Sequence, residues 1–214
     1  MIMENKKQII ASVIVILLPM IVGLCLWQRL PEQMPTHWNF SGEINGYSSK
    51  VFAVVGVGGF LLVVHLLCVF ATAMDPKNKN INGKMMNIIY WICPIISVLV
   101  YSCMYAVALG VEVRVEMWII LFIGVLFVIL GNWLPKCKSN YTVGIKIPWT
   151  LHSEDNWNKT HRMAGHLWMA GGFVTMASAF LGKTGEIIFL VVVALLIVIP
   201  MGYSYSLYRK DGDK

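Results

Sequence analysis

Six stretches of this chain contain no Asp, Glu, Lys or Arg: residues 9–28, 51–73, 86–109, 117–134, 164–181 and 187–208. A helix rises about 1.5 Å per residue, so a run of roughly 20 apolar residues covers the ~30 Å of hydrocarbon in a bilayer. Strands are excluded there, because an open sheet edge in lipid leaves backbone N–H and C=O groups unpaired and barrel strands read as short alternating segments. The expected fold class is therefore all-α, a polytopic membrane protein built as a six-helix bundle. Composition agrees, with 57% hydrophobic and 13% charged residues. Lys6 and Lys7 ahead of the first run resemble the start of a signal peptide. The apolar core is long, however, and no small-x-small site precedes Trp27 and Arg29, so the run is retained as the first span.

Orientation follows from the basic residues. With the N-terminus inside, the inner segments hold Lys6 and Lys7; Lys77, Lys79 and Lys84; Lys136, Lys138, Lys146, Lys159 and Arg162; and Arg209, Lys210 and Lys214, thirteen in all. The outer loops hold four, Arg29, Lys50, Arg114 and Lys183. This asymmetry places both termini in the cytoplasm of a multi-pass cell-membrane protein. The formal charge of +6 is then accounted for by topology and anionic headgroups, with the lipid bilayer as partner and no direct nucleic-acid binding. Residues 1–73 form one region with two spans and an extracellular loop. Residues 74–214 form a second, with four spans and a cytoplasmic loop at 135–163.

Pro19, Pro94 and Pro200 fall inside spans, and each frees the carbonyl four residues earlier, at Val15, Tyr90 and Leu196, for a neighbouring helix to satisfy. Gly171, Thr175 and Ala179 recur every four residues, a spacing that lets helices approach closely in lipid. His65 is the intramembrane polar candidate, since an ionisable group at mid-span is functional by default, although a neutral imidazole bonded to a carbonyl would also satisfy it. Trp27, Trp118, Trp133, Tyr203, Tyr205 and Tyr208 sit near span ends as interfacial anchors. Cys25, Cys68, Cys93, Cys103 and Cys137 lack metal or disulfide spacing and read as small buried hydrophobes.

Two connections are long enough to carry function. In the outer one, residues 29–50, Pro31 and Pro35 stiffen the chain, Asn45-Gly46 marks a tight turn before Tyr47, and His37 and Trp38 are presented between these fixed points. Trp38 serves there either as one more anchor or, with His37 and Tyr47, as an aromatic contact surface for an apolar peptide. In the inner one, Pro135 breaks the fourth span, Gly144 and Pro148 shape an extended stretch, and Ser153 caps a helix that begins with Glu154 and Asp155. Trp157, His161, Ala164 and Trp168 share one face of that helix. It is open whether that face anchors at the headgroups or docks a cytoplasmic partner.

At this point the residues resemble a family. The strings GNWLPKCKSNYTVGIKIPWTLHSEDNWNKTHRMAGH and LPEQMPTHWNFSGEINGYSSK are similar to the two signature regions of the SdpI family of bacterial membrane proteins, the second matching the DUF1648-type region that accompanies it. The resemblance rests on Asn140, Gly144-Ile145-Lys146, Pro148-Trp149-Thr150, Trp157, Lys159-Thr160-His161-Arg162 and Gly165 in one register. Lys146 stands where the family often has Arg, which keeps the charge but loses a bidentate contact. The resemblance implies immunity to a secreted killing peptide, and signalling by drawing an ArsR-like autorepressor to the membrane. It casts Pro31, Pro35, His37, Trp38 and Tyr47 as toxin contacts. The partner-binding surface would comprise Asn140, Gly144, Lys146, Pro148, Trp149, Thr150, Trp157, Thr160, His161 and Arg162.

Catalysis is not expected: there is no His-Glu-x-x-His, no acid within a span and no nucleophile with an evident base. No cofactor is called for. His152, His161 and His166 make a poor metal set, because residues five apart on a helix point about 140° from each other. A small-molecule or peptide transporter is the competing class, supported at the midplane by His65 alone. A membrane anchor for a regulator, without immunity, is the other.

Overall fold

The structure is a computed structural model that describes residues 5–39 and 41–212; Lys214, one of the thirteen inner charges, lies outside them. Its elements are helix α1 (Lys6–Cys25), strands β1 (Gln33–Trp38) and β2 (Ile44–Ser49), and a π-helical turn (Phe52–Gly56) that runs into α2 (Val57–Ala73). Then follow α3 (Gly83–Ala108), α4 (Val115–Trp133), a 3-10 turn (Leu134–Lys136), α5 (Pro148–His152), α6 (Glu154–Ser178) and α7 (Lys183–Gly212). The protein is an all-α polytopic membrane protein carrying one small antiparallel hairpin. Among the described residues five helical segments are long and apolar enough to span: Lys6–Cys25, Phe52–Ala73, Gly83–Ala108, Val115–Lys136 and Lys183–Lys210. The helix holding the expected fifth stretch, α6, is not among them. Its first half carries Glu154, Asp155, Lys159 and Arg162, and its charge-free part is correspondingly short.

The chain divides into two compact units. The first takes in Met1–Met74 and Gly83–Val115, so α3 joins α1 and α2 although the sequence reading grouped it with the C-terminal region. Its core is Leu30, Met34, Ala53, Val54, Tyr101, Met104 and Tyr105. Two tyrosines pin it. Tyr101 donates to the Val54 carbonyl at 2.6 Å, inside the π turn where the regular i−4 ladder is interrupted, and Tyr105 donates to the Pro19 carbonyl at 3.0 Å. Gly23 makes room for the second: a Cβ there would lie 2.0 Å from the Tyr105 hydroxyl oxygen. His65 is wholly buried and hydrogen-bonds the Ser12 hydroxyl through Nε2 at 2.8 Å. Its bonding partner is thus a serine rather than a carbonyl, and Nδ1 has no partner among the described residues.

The second unit takes in Asp75–Asn82 and Glu116–Lys214. Here α4 and α6 meet backbone to backbone. A Cβ on Gly131 would fall 2.6 Å from the Met169 nitrogen, and one on Gly172 would fall 2.7 Å from the Gly124 carbonyl oxygen, so these glycines set the approach. Helices α6 and α7 run antiparallel, with Gly171 against Leu196 near the middle and Asn156 against Ser204 at one end. The carbonyl freed by Pro200 is that of Leu196, and Trp168 Nε1 donates to it at 3.2 Å.

Candidate functional site

Each unit holds one segment whose side chains are fixed from several directions. In the first unit this is the hairpin. Lys50, only 6% exposed, closes it by pairing with Glu32 at 2.8 Å, donating to the Trp27 carbonyl at 3.2 Å and lying over the Trp27 ring. Such a desolvated, multiply bonded lysine is structural. The tight turn lies at Asn39–Glu43, not at Asn45-Gly46. The Asn39 N–H donates to the Glu43 carbonyl, the Asn39 side chain accepts from the Glu43 N–H, and Gly42 takes a φ of 76°. Asn45 and Gly46 instead lie within β2, where Gly46 faces His37 so closely that a Cβ would stand 2.9 Å from the histidine Cβ. Register shifts between Pro35 and His37 and between His37 and Trp38 bend β1 there.

The expected contact residues separate on this frame. Trp38 is half-buried and, paired with Ile44, lines a groove of about 630 Å³ whose far wall is Val107, Val111 and Val113. His37 and Tyr47 are exposed but do not line it, and the His37 ring is tied to the Asn45 side chain. Pro31 is exposed ahead of β1, whereas Pro35 is buried and supports the strand rather than meeting a ligand.

In the second unit the fixed segment is 137–147, which has little regular structure yet almost no freedom. Asn140, fully buried, shapes its turn by accepting from the N–H groups of Thr142 and Val143 at 2.9 and 2.7 Å and donating to the Lys138 carbonyl at 2.9 Å. Asp75 holds it from the α2–α3 connection. Its carboxylate accepts from the N–H groups of Tyr141 and Lys77, both at 2.8 Å, and from the Thr142 hydroxyl. Ser139 accepts from Asn80 through its carbonyl at 2.7 Å. From α6, Trp157 Nε1 donates to the Cys137 carbonyl at 2.7 Å, and His161 Nε2 accepts from the Ile145 N–H at 2.9 Å. Because His161 Nδ1 faces the Trp157 carbonyl at 2.8 Å, the hydrogen sits on Nδ1 and the lone pair on Nε2. Gly144, with a φ of 116°, passes directly over this pair.

Titration follows from these partners. Burial holds His161 down at about 4, opposed by its bond to the Trp157 carbonyl. Burial likewise pushes the Cys137 thiol up to about 11, partly offset by Asn140. For Asp75 burial acts upward, but the donors from Thr142, Lys77 and Tyr141 together outweigh it and keep the carboxyl below its ordinary value.

Beyond this segment, Pro148 starts α5, and its extended neighbour Ile147 donates to Thr150 Oγ1 at 3.2 Å, as the X-Pro step led us to expect. Trp149 packs on Tyr205, with ring centroids 5.0 Å apart, and more loosely on Tyr208, so those tyrosines are packing partners as well as candidates for the interface. Ser153 caps α6 by accepting from the Asn156 N–H. Asn156, Thr160 and Ser204 complete a buried network, in which Asn156 donates to the Ser204 carbonyl at 2.9 Å and accepts from both hydroxyls.

A docking face built on Trp157 and His161 is therefore not available. Asn140, Thr150, Trp157, Thr160 and His161 are each 0–1% exposed and act as the inner clamp of the segment. Lys146, Pro148 and Arg162 are exposed, and Gly144 and Trp149 are half-buried. Asp75, Lys50, Ser139 and Asn156 escaped the sequence reading. Asp75 had one visible signal, as the sole acid of the α2–α3 connection and the first half of an Asp-Pro step at a helix end.

An α-helical polytopic membrane protein with one pinned hairpin and one clamped connecting segment is the class that this geometry defines. Residues 136–204, from the clamp to the Asn156–Ser204 network, match the SdpI/YfhL protein family, and residues 14–62, spanning the hairpin and its flanking helices, match a domain of unknown function, DUF1648. Over 210 residues the chain is 29% identical to the immunity protein SdpI of Bacillus subtilis (strain 168), covering 96% of this chain and 97% of that protein. The chain is thus similar to the SdpI/YfhL family over its C-terminal third and to one relative along nearly its whole length. No solved structure matches it.

Proposed function

We propose that this is a cell-membrane immunity protein that binds a secreted antimicrobial peptide at its hairpin. In this reading six helices cross the bilayer, α6 among them, both termini are cytoplasmic, and the hairpin is outside. The thirteen-to-four division of Lys and Arg supports the orientation. The charge-free run 164–181, which continues past the end of α6, supports the sixth span. Immunity is carried over from the similarity to the immunity protein of Bacillus subtilis. The observation that carries the peptide site is the groove beside the hairpin, where Trp38 and Ile44 face three valines and Glu112 and Arg114 supply polar rims. An apolar peptide entering it would bury aromatic and branched surface around a few polar fixings, the usual anatomy of a binding hot spot. Nothing in that action requires bond making, so the protein acts by binding and not as an enzyme.

The test is survival of a sensitive host under challenge with the cognate peptide. Trp38→Ala and Val111→Asp should each lose protection while remaining at wild-type abundance in membranes. Full protection from the double variant would remove the groove from the mechanism. Flux of labelled peptide through reconstituted vesicles separates sequestration from transport, which would show turnover.

A second reading, membrane capture of a cytoplasmic ArsR-like autorepressor, is favoured by Lys146, exposed near the end of a segment that is otherwise locked. A fluorescent regulator should leave the membrane in Lys146→Ala cells, and unchanged localisation would exclude this surface.

A further inference from the structure

Helix α6 has two faces of opposite fate. Trp157, His161, Ala164 and Trp168 turn inward, whereas Asp155, Lys159, Arg162 and His166, offset from them by two residues and so by about 200°, form an exposed stripe. With Asn158, Met163 and Tyr203 of α7, this stripe lines an open cleft of about 590 Å³. Lys159 is paired with Asp155 at 2.7 Å. Among the described residues Arg162 and His166 make no hydrogen bond or ion pair, so the guanidinium faces the cleft unspent.

The same stripe continues down the helix as Ala170, Phe173 and Ala177, all exposed, with Val174 beside them. Charged and polar groups thus occupy one end, and an uninterrupted apolar track the other, with the change between His166 and Ala170. A cleft with a free cation opening onto an apolar track is complementary to a phosphate headgroup with its acyl chain attached. It is not complementary to a soluble anion, which would use only the cleft. Lys159, Arg162 and Asp155 leave one net positive charge, which favours an anionic lipid over a zwitterionic one.

We propose that this cleft is a binding site for an anionic glycerophospholipid of the leaflet at the charged end of α6. Arg162 engages the phosphate as a bidentate donor, Lys159 and Tyr203 flank the headgroup, and the acyl chain lies along Ala170, Phe173 and Ala177. This site is independent of the peptide groove and of any regulator.

The experiment uses the full chain in detergent with defined phospholipids, read by lipid retention in native mass spectrometry and by the shift of the thermal midpoint. Phosphatidylglycerol should be retained and should raise the midpoint more than phosphatidylcholine, and inorganic phosphate alone should do neither. Arg162→Ala should weaken phosphatidylglycerol retention at least five-fold, Arg162→Lys should restore part of it, and the lipid-free midpoint should not move because the side chain has no partner among the described residues. Equal retention by Arg162→Ala and wild type overturns the proposal and leaves Arg162 to a protein partner. Protection by inorganic phosphate as strong as that by the lipid overturns it in favour of a free anion. Equal effects of the two lipids remove the charge-selective site.

Discussion

The Trp157 and His161 rings are stacked, with centroids 4.0 Å apart and planes 18° from parallel, and each ring reaches from α6 to a different backbone group of segment 137–147. One helical turn thereby fixes both ends of an irregular stretch, at Cys137 and at Ile145. The conformation of this segment is set by buried hydrogen bonds and not by strand or helix pairing.

Gly144 is the residue that stack tolerates least changed. A Cβ there would lie 2.6 Å from His161 Nε2 and 3.1 Å from the Trp157 ring, at a φ that side chains seldom adopt. Gly144→Ala should cost about 2–4 kcal/mol, combining backbone strain with displacement of the clamp. A lowered thermal midpoint in detergent, together with altered near-ultraviolet circular dichroism from Trp157, is the expected result.

Acidification should open the same clamp. The folded His161 titrates near 4 against 6.5 when unfolded, so the unfolded chain takes up the proton first. Stability from this group is complete above pH 6.5, declines as pH falls from 6.5 towards 4, and changes no further below, for a total of about 3 kcal/mol. The geometric reason is that a protonated Nε2 would point a hydrogen at the Ile145 N–H. Stability measured against pH should show this slope in the wild type and lose it in His161→Gln. Asp75, whose folded pKa is lowered from 3.8, keeps its full contribution above that value and loses it only as pH falls further, so its loss lies mostly below the window.

Asp75 is the second anchor. Asp75→Asn keeps the size but turns one acceptor oxygen into a donor group, so the Tyr141 or Lys77 N–H, or the Thr142 hydroxyl, loses its partner. The expected loss is about 1–3 kcal/mol. Hydrogen exchange should accelerate across residues 137–147 while remaining unchanged in α1 and α3; protection equal to wild type at Tyr141 and Thr142 would show that the carboxylate is dispensable.

Much of the fold was legible because bilayer-spanning helices announce themselves by length and absence of charge: the apolar runs containing Pro19, Pro94 and Pro200 all appear as helices. The Ser153 cap and the extended residue before Pro148 were equally local and equally readable. The hairpin turn was not, since Asn45-Gly46 satisfies turn chemistry while the actual turn at Asn39–Glu43 depends on an asparagine side chain and on Gly42. Nor was the inward direction of Trp157 and His161, because periodicity shows that residues share a face but not what covers it. Asp75 lies 66 residues from Tyr141, and no local pattern joins them.

The pairing of Pro200 with Trp168 offers a test in which two substitutions should interact. Pro200 lacks the N–H that would close the helical bond to the Leu196 carbonyl, and Trp168 Nε1 supplies a donor from α6 at 3.2 Å. In Trp168→Phe the ring would keep its edge contact with Phe127, whose centroid lies 5.4 Å away, but the carbonyl would lose the indole donor, at a cost of about 1 kcal/mol. Pro200→Ala returns a backbone N–H to that carbonyl, so the indole donor becomes redundant. The cost of Trp168→Phe should therefore shrink in the Pro200→Ala background, giving a coupling energy of about 0.5–1 kcal/mol in a double-mutant cycle read by unfolding in detergent. Strict additivity would mean that the indole stabilises this helix pair by packing alone and that the freed carbonyl draws nothing from it.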